Sequence, residues 1–115
     1  MPIIVNRDDM KETQKGDGWV ELTLADASNF GAPAMVARRW TLQPGATGPM
    51  LTQDAKEQML YVIEGSGKAI VNGQDFPLDK ESVLWVEQGE QYQFVADDAG
   101  LDILQGYAPG EESNV

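Results

Sequence analysis

Tyr92 and Arg38 are the side chains of this sequence best suited to handling a small molecule. A phenol can release a proton as a general acid, and a guanidinium presents a rigid fork of donors that matches a carboxylate or phosphate. A base to complement Tyr92 has to be a carboxylate, because the 115 residues include no histidine and no cysteine. Glu57, Glu87 and Asp54 are the candidates, and Glu57 is assigned as base opposite Tyr92. Such a group works near neutral pH only where burial raises its pKa. The missing imidazole and thiol exclude Ser-His-Asp and Cys-His catalysis and any disulfide framework. Gln53 and Gln58 add amides that both donate and accept hydrogen bonds. "EGSG" and "NG" read as hairpin turns, and no glycine-rich phosphate loop is present.

These groups are carried by short runs of β-branched and aromatic residues: "PIIV", "GWVELTL", "AMVARRWTL", "QMLYVIEG", "GKAIVNG", "DFPL", "SVLWVE", "QYQFVA" and "LDILQGYA". Gly, Pro, Asn and Asp separate them and supply turn dihedrals. The best helical candidate, "RDDMKETQK" at 7–15, is polar on nearly every side, so helix is a minor component. Many short strands in a chain of this length predict an all-β sandwich or barrel. The chain reads as one domain over 1–115, with "GEESNV" at 110–115 as a tail. Alternation along strands groups Gln58 with Leu60 and Val62 on one face, and Met59 with Tyr61 on the other. It likewise groups Tyr92 with Phe94, and Arg38 with Val36, Trp40 and Leu42. Near the C-terminus it separates Asp102, Leu104 and Gly106 from Ile103, Gln105 and Tyr107.

Residues 44–109 resemble a single-domain cupin, a small double-stranded β-helix or jelly-roll barrel. In that family a first motif spaces Gly, two His, Glu and Gly. Gly45, Leu51, Gln53, Gln58 and Gly65 stand here at those separations, after Pro44. The second motif runs from Gly-Asp through a strand and Pro-x-Gly to a His. The corresponding residues are Glu81-Ser82, "VLWV", Glu87-Gln88-Gly89 and Tyr92. The resemblance thus implies a jelly roll whose four metal-binding positions hold Leu51, Gln53, Gln58 and Tyr92. A register slip that places Thr52 and Asp54 inward is the alternative for the 50–54 segment. Zinc, iron, nickel and copper favour imidazole, thiolate or carboxylate, and calcium needs six to eight converging oxygens. No metal and no cofactor are therefore expected.

The favoured assignment lines the barrel with Arg38, Trp40, Met50, Leu51 and Gln53 from its first half. Gln58, Leu60, Tyr92, Phe94 and Leu104 complete it. A mostly apolar cavity with a few hydrogen-bonding groups has a ligand pocket's composition. The expected function is metal-free binding of a small, partly apolar metabolite, as a carrier, sensor or accessory module. The alternative is a metal-independent isomerase, cyclase or lyase with Tyr92 as acid. Nineteen acidic against eight basic residues give a net charge of -11, which disfavours nucleic acid and anionic membrane as partners. No apolar run approaches a membrane span, and a cytoplasmic location is expected. "PIIV" with outward Met59, Tyr61 and Tyr107 suggests a homodimer surface.

Overall fold

The computed structural model describes residues 11–25, 36–52 and 58–107. They form eight strands: β1 (Lys11–Gly16), β2 (Trp19–Ala25), β3 (Val36–Leu42), β4 (Leu51–Thr52), β5 (Gln58–Val71), β6 (Gln74–Leu78), β7 (Val83–Trp85) and β8 (Gln91–Tyr107). All pairings are antiparallel, in the order β1-β2-β3-β8-β5-β6, with β4 on β8 and β7 on β5. The architecture is all-β, as the strand pattern predicts, and it is the jelly roll that the resemblance implies. Among the described residues no helix is long and apolar enough to cross a membrane.

Two turns follow directly from local sequence. Asp17-Gly18 joins β1 to β2, with Gly16 paired to Trp19, and Asn72-Gly73 joins β5 to β6, with Val71 paired to Gln74. Asn72 and Gly73 have φ of 50° and 84°, the two positive values that a two-residue hairpin requires for its twist to match the strands.

Elsewhere the long-range ladder overrides the local reading. β5 and β8 are single long strands where the sequence predicts two shorter ones each, and they pair along two arms. Gln58–Gly65 lies against Leu101–Tyr107, and Gly67–Val71 lies against Tyr92–Ala96. "EGSG" is therefore a corner in a continuous strand, a correction to the hairpin expected there. The reason is close approach: a Cβ on Gly65 would fall 2.1 Å from the Gly100 carbonyl oxygen, and Gly65 has φ of 87°. Glycine lets the two chains touch and bend together instead of reversing.

The helical candidate is also corrected, since Lys11–Gly16 is strand β1. Its polarity suits an edge position, where side chains face solvent and β2 supplies the hydrogen bonds. Residues 7–10, "PIIV" and the 110–115 tail lie outside the described residues. The core consists of Trp40, Leu42, Leu60, Val62, Tyr92, Phe94, Leu101, Ile103 and smaller neighbours. Trp19 packs on it, its ring 5.7 Å from that of Trp40.

Candidate ligand-binding site in the barrel

Residues paired across an antiparallel ladder point to the same face, so the registers assign the interior layer by layer. The deepest layer joins Trp19, Leu42, Leu101 and Gly65; the next joins Glu21, Trp40, Ile103 and Val62. Above them lie Thr23, Arg38, Gln105 and Leu60, and then Val36 and Gln58, each paired with the backbone of Tyr107. On the facing arm Tyr92 pairs with Leu51 and Val71, and Phe94 with Ala69. The interior thus changes from apolar at the floor to polar toward the 36, 58 and 107 end.

At that end four side chains from three strands form one buried hydrogen-bonded cluster. Trp40 Nε1 donates to Gln105 Oε1 at 2.7 Å, and Gln105 Nε2 donates to Gln58 Oε1 at 2.9 Å and to Tyr92 Oη at 3.1 Å. Gln58 Nε2 donates to the same Tyr92 oxygen at 2.8 Å. All four residues are buried. The phenol also rests edge-on against Phe94, with ring centroids 5.6 Å apart. Polar groups buried this deeply persist because each finds a partner.

Beside the cluster lies a second polar group. Glu21 is 4% exposed; its Oε1 accepts a 2.6 Å bond from Thr13 Oγ1, and its Oε2 lies 3.9 Å from Arg38 Nε. Thr23 Oγ1 donates in turn to Thr13 Oγ1 at 3.2 Å. Arg38 keeps about a third of its side chain exposed. Its neighbour Arg39 faces outward and grips Asp102 through two hydrogen bonds, which hold its pKa above the ordinary arginine value.

Arg38, Trp40, Leu51, Gln58, Leu60, Tyr92 and Phe94 all stand on the interior face. Leu51 packs against the core while Thr52 is exposed, which is the register preferred from the motif spacing. Two expected lining residues are corrected. Met50 is 57% exposed, because the register that turns Leu51 inward turns its neighbour out. Leu104 lies on the outer face, paired with Arg39 and Tyr61. Placing Leu104 inside would bring Asp102 in with it and expel Leu101 and Ile103, which are 2% and 1% exposed. The candidate base Glu87 is exposed, and Gln53, Asp54 and Glu57 lie outside the described residues.

Gln105 and Glu21 are the buried polar side chains of the candidate site that sequence reasoning missed. Alternation places Gln105 on one face with Leu101 and Ile103, but only the pairing of Ile103 with Trp40 and Val62 marks that face as the inner one. Glu21 gave a misleading signal: in "WVELTL" the apolar Val20, Leu22 and Leu24 share one face, so Glu21 and Thr23 read as solvent-facing. Two shallow grooves elsewhere, one along Lys15, Trp19, Thr41 and Gln43 and one along Pro44, Glu64, Gly100 and Asp102, are open to solvent.

The donor set does not fit the transition metal that the jelly-roll motif positions serve. Leu51 has no donor atom, and Gln58 and Tyr92 direct their polar atoms at each other and at Gln105. Among the described residues no three Asp or Glu side chains converge. Neutral amides and a phenol already engaged in hydrogen bonds are poor ligands for zinc, iron or copper.

Comparison with known proteins agrees with this architecture. A family model described as the cupin domain matches residues 38–102. No curated protein sequence matches the chain. Among solved structures, KdgF from Halomonas sp. superposes with a TM-score of 0.76 at 14% identity, with all of both chains covered. An RmlC-like cupin from Shewanella frigidimarina gives 0.76 at 18% identity, covering 100% of this chain and 97% of its own. The polyketide cyclase RemF from Streptomyces resistomycificus gives 0.76 at 23% identity, covering 94% and 80%. At such identities the likeness concerns the fold, and the different activities of the neighbours leave function to be argued from the site. With the family model covering more than half of its length and the jelly-roll ladder in place, the chain belongs to the cupin domain family.

Proposed function

We propose that this cupin binds a small, partly apolar organic acid inside its barrel without a metal ion. The observation that carries the reading is the Trp40-Gln105-Gln58-Tyr92 cluster, in which hydrogen bonding among side chains engages two of the family's four ligand positions, Gln58 and Tyr92. Arg38 beside it supplies the charge for a carboxylate, and the apolar side chains of Ile103 and Val62 beneath face the rest of the molecule. Elemental analysis after gentle purification, with native mass spectrometry for co-purifying compounds, tests the proposal. Stoichiometric transition metal refutes it. Loss of small-acid binding in Arg38→Gln, measured by calorimetry, is the expected positive result.

One observation favours a catalytic variant of this reading. Tyr92 Oη accepts N–H bonds from both Gln58 and Gln105, and such donors stabilise the oxyanion left when a phenol gives up its proton. A metal-independent isomerase, cyclase or lyase with Tyr92 as acid and Glu57 as base would use that arrangement. Tyr92→Phe distinguishes the two: turnover lost with binding retained supports catalysis, and binding unchanged with no turnover of any candidate substrate supports the binding module.

A further inference from the structure

The two amides of the buried cluster cannot choose their orientations independently. An indole N–H only donates, whereas a glutamine offers a carbonyl on one side of its amide and two N–H donors on the other. Trp40 Nε1 donates at 2.7 Å to Gln105 Oε1, so Gln105 turns its carbonyl to the indole and its NH2 group to Gln58 Oε1 and Tyr92 Oη, at 2.9 and 3.1 Å. Gln58 has to meet that NH2 group with its carbonyl, which leaves its own Nε2 donating to the phenol oxygen at 2.8 Å. Two N–H donors therefore fill the acceptor side of Tyr92, and its own proton is directed away from both glutamines. Beside it, the second N–H of Gln58, a residue 3% exposed, meets no acceptor among the described residues.

We propose that Trp40 is a positioning residue that acts through Gln105 and Gln58 to make the site present protons rather than lone pairs, so that whatever meets Tyr92 from outside the cluster does so with an acceptor oxygen. This rests on the reading above that a small molecule meets this end of the barrel. Reversing both amides would set the Gln105 NH2 group against the indole N–H, donor to donor. Tyr92 would then donate inward to a glutamine carbonyl and turn its lone pairs outward, a state in which it could not serve as an acid. The adjacent Tyr92 and Gln58 donors suit a carbonyl or carboxylate oxygen and oppose an ammonium, which brings donors alone.

Ultraviolet resonance Raman spectroscopy of the full chain without ligand tests the polarity, because the intensity ratio of the tyrosine ring doublet reports whether the phenol oxygen accepts hydrogen bonds or only donates. The chain has three tyrosines, and subtracting the spectrum of Tyr92→Phe isolates the one in the cluster. In the wild type the higher-frequency band is expected to equal or exceed the lower, the pattern of an accepting oxygen. Trp40→Phe, measured against the same protein lacking the Tyr92 hydroxyl, is expected to reverse that ratio, since Gln105 is then free to turn over. Benzothienylalanine in place of Trp40 carries sulfur where the indole has its N–H; it is expected to give the same reversal and serves if the phenylalanine variant does not fold. A donor-only doublet in the wild type overturns the orientation, and an accepting doublet that survives both replacements removes Trp40 from the role. Failure of the small-acid reading shows itself separately, as absence of binding in calorimetry with the doublet unchanged, and takes the acceptor-oxygen ligand with it.

Discussion

Replacing Gln105 by leucine removes three buried hydrogen bonds while keeping most of the side-chain volume. The Trp40 indole N–H and the Gln58 carbonyl each lose their partner in the cluster, and Tyr92 keeps the bond from Gln58. A buried polar group left unsatisfied costs about 1–3 kcal/mol, so two stranded groups cost about 2–6 kcal/mol. The added apolar burial of leucine offsets about 1–2 kcal/mol of this. Taking the middle of both ranges, the expected net loss is about 2–3 kcal/mol, a large share of the roughly 5–15 kcal/mol that holds a domain folded. Urea denaturation followed by circular dichroism measures it. Adding Trp40→Phe completes a double-mutant cycle: once Gln105 is gone, removing the stranded N–H costs about 1–2 kcal/mol less than in the parent protein. A Gln105→Leu loss under about 0.5 kcal/mol, or additivity within roughly that margin, would falsify the buried network.

Three further outcomes are expected. Glu81, at the position of a family glycine, has φ of 71°; this backbone costs an L-residue about 1–2 kcal/mol, against roughly 0.5–1 kcal/mol for glycine's extra chain entropy. Glu81→Gly should therefore raise stability by about 0.5–1 kcal/mol, and a lowered urea midpoint contradicts the strain. Asp97 accepts from Ser66 Oγ at 2.7 Å and from the Ala99 N–H at 2.9 Å, which depress its pKa below 3.8. The associated stability is present above that ordinary value and lost as pH falls through the folded pKa. Ser66→Ala should move the Asp97 titration upward by NMR, and its stability deficit should vanish at the acid end; an unmoved titration refutes the assignment. Trp85 and Val83, 59% and 60% exposed, lie on the outer sheet face beside Met59 and Tyr61. That apolar patch on a chain of net charge -11 is where two copies can meet with least repulsion. Light scattering is expected to report a dimer that Trp85→Ser dissociates, and a wild-type monomer of 12.6 kDa at micromolar concentration rules the interface out.

Much of the fold was legible where the physics is local. Alternation of Gln58, Leu60 and Val62 against Met59 and Tyr61 marks a half-buried strand, and the observed burial follows it. Asn72-Gly73 specifies its hairpin because few other dipeptides adopt two positive φ values. Legibility failed where partners are remote. The polar "KETQKG" is strand rather than helix because β2 pairs with it, and "EGSG" is a corner rather than a turn because Gly100 comes up against Gly65. Likewise, "LDILQGY" has two self-consistent faces, and only the positions of Trp40 and Val62 select Ile103 and Gln105 as the inner one.

The amino-acid sequence alone determined the chemical inventory, with neither imidazole nor thiol, together with the strand-rich character and the tight hairpins, since these depend on composition and on dihedrals a few residues apart. The tertiary structure decided which face of each strand turns inward and which side chains meet. Trp40 reaches Gln105 across 65 positions and Gln58 reaches Tyr92 across 34. The physical reason is that a strand's period of two is set by its own backbone, while the choice between its two faces is made by the register of strands far away in the chain.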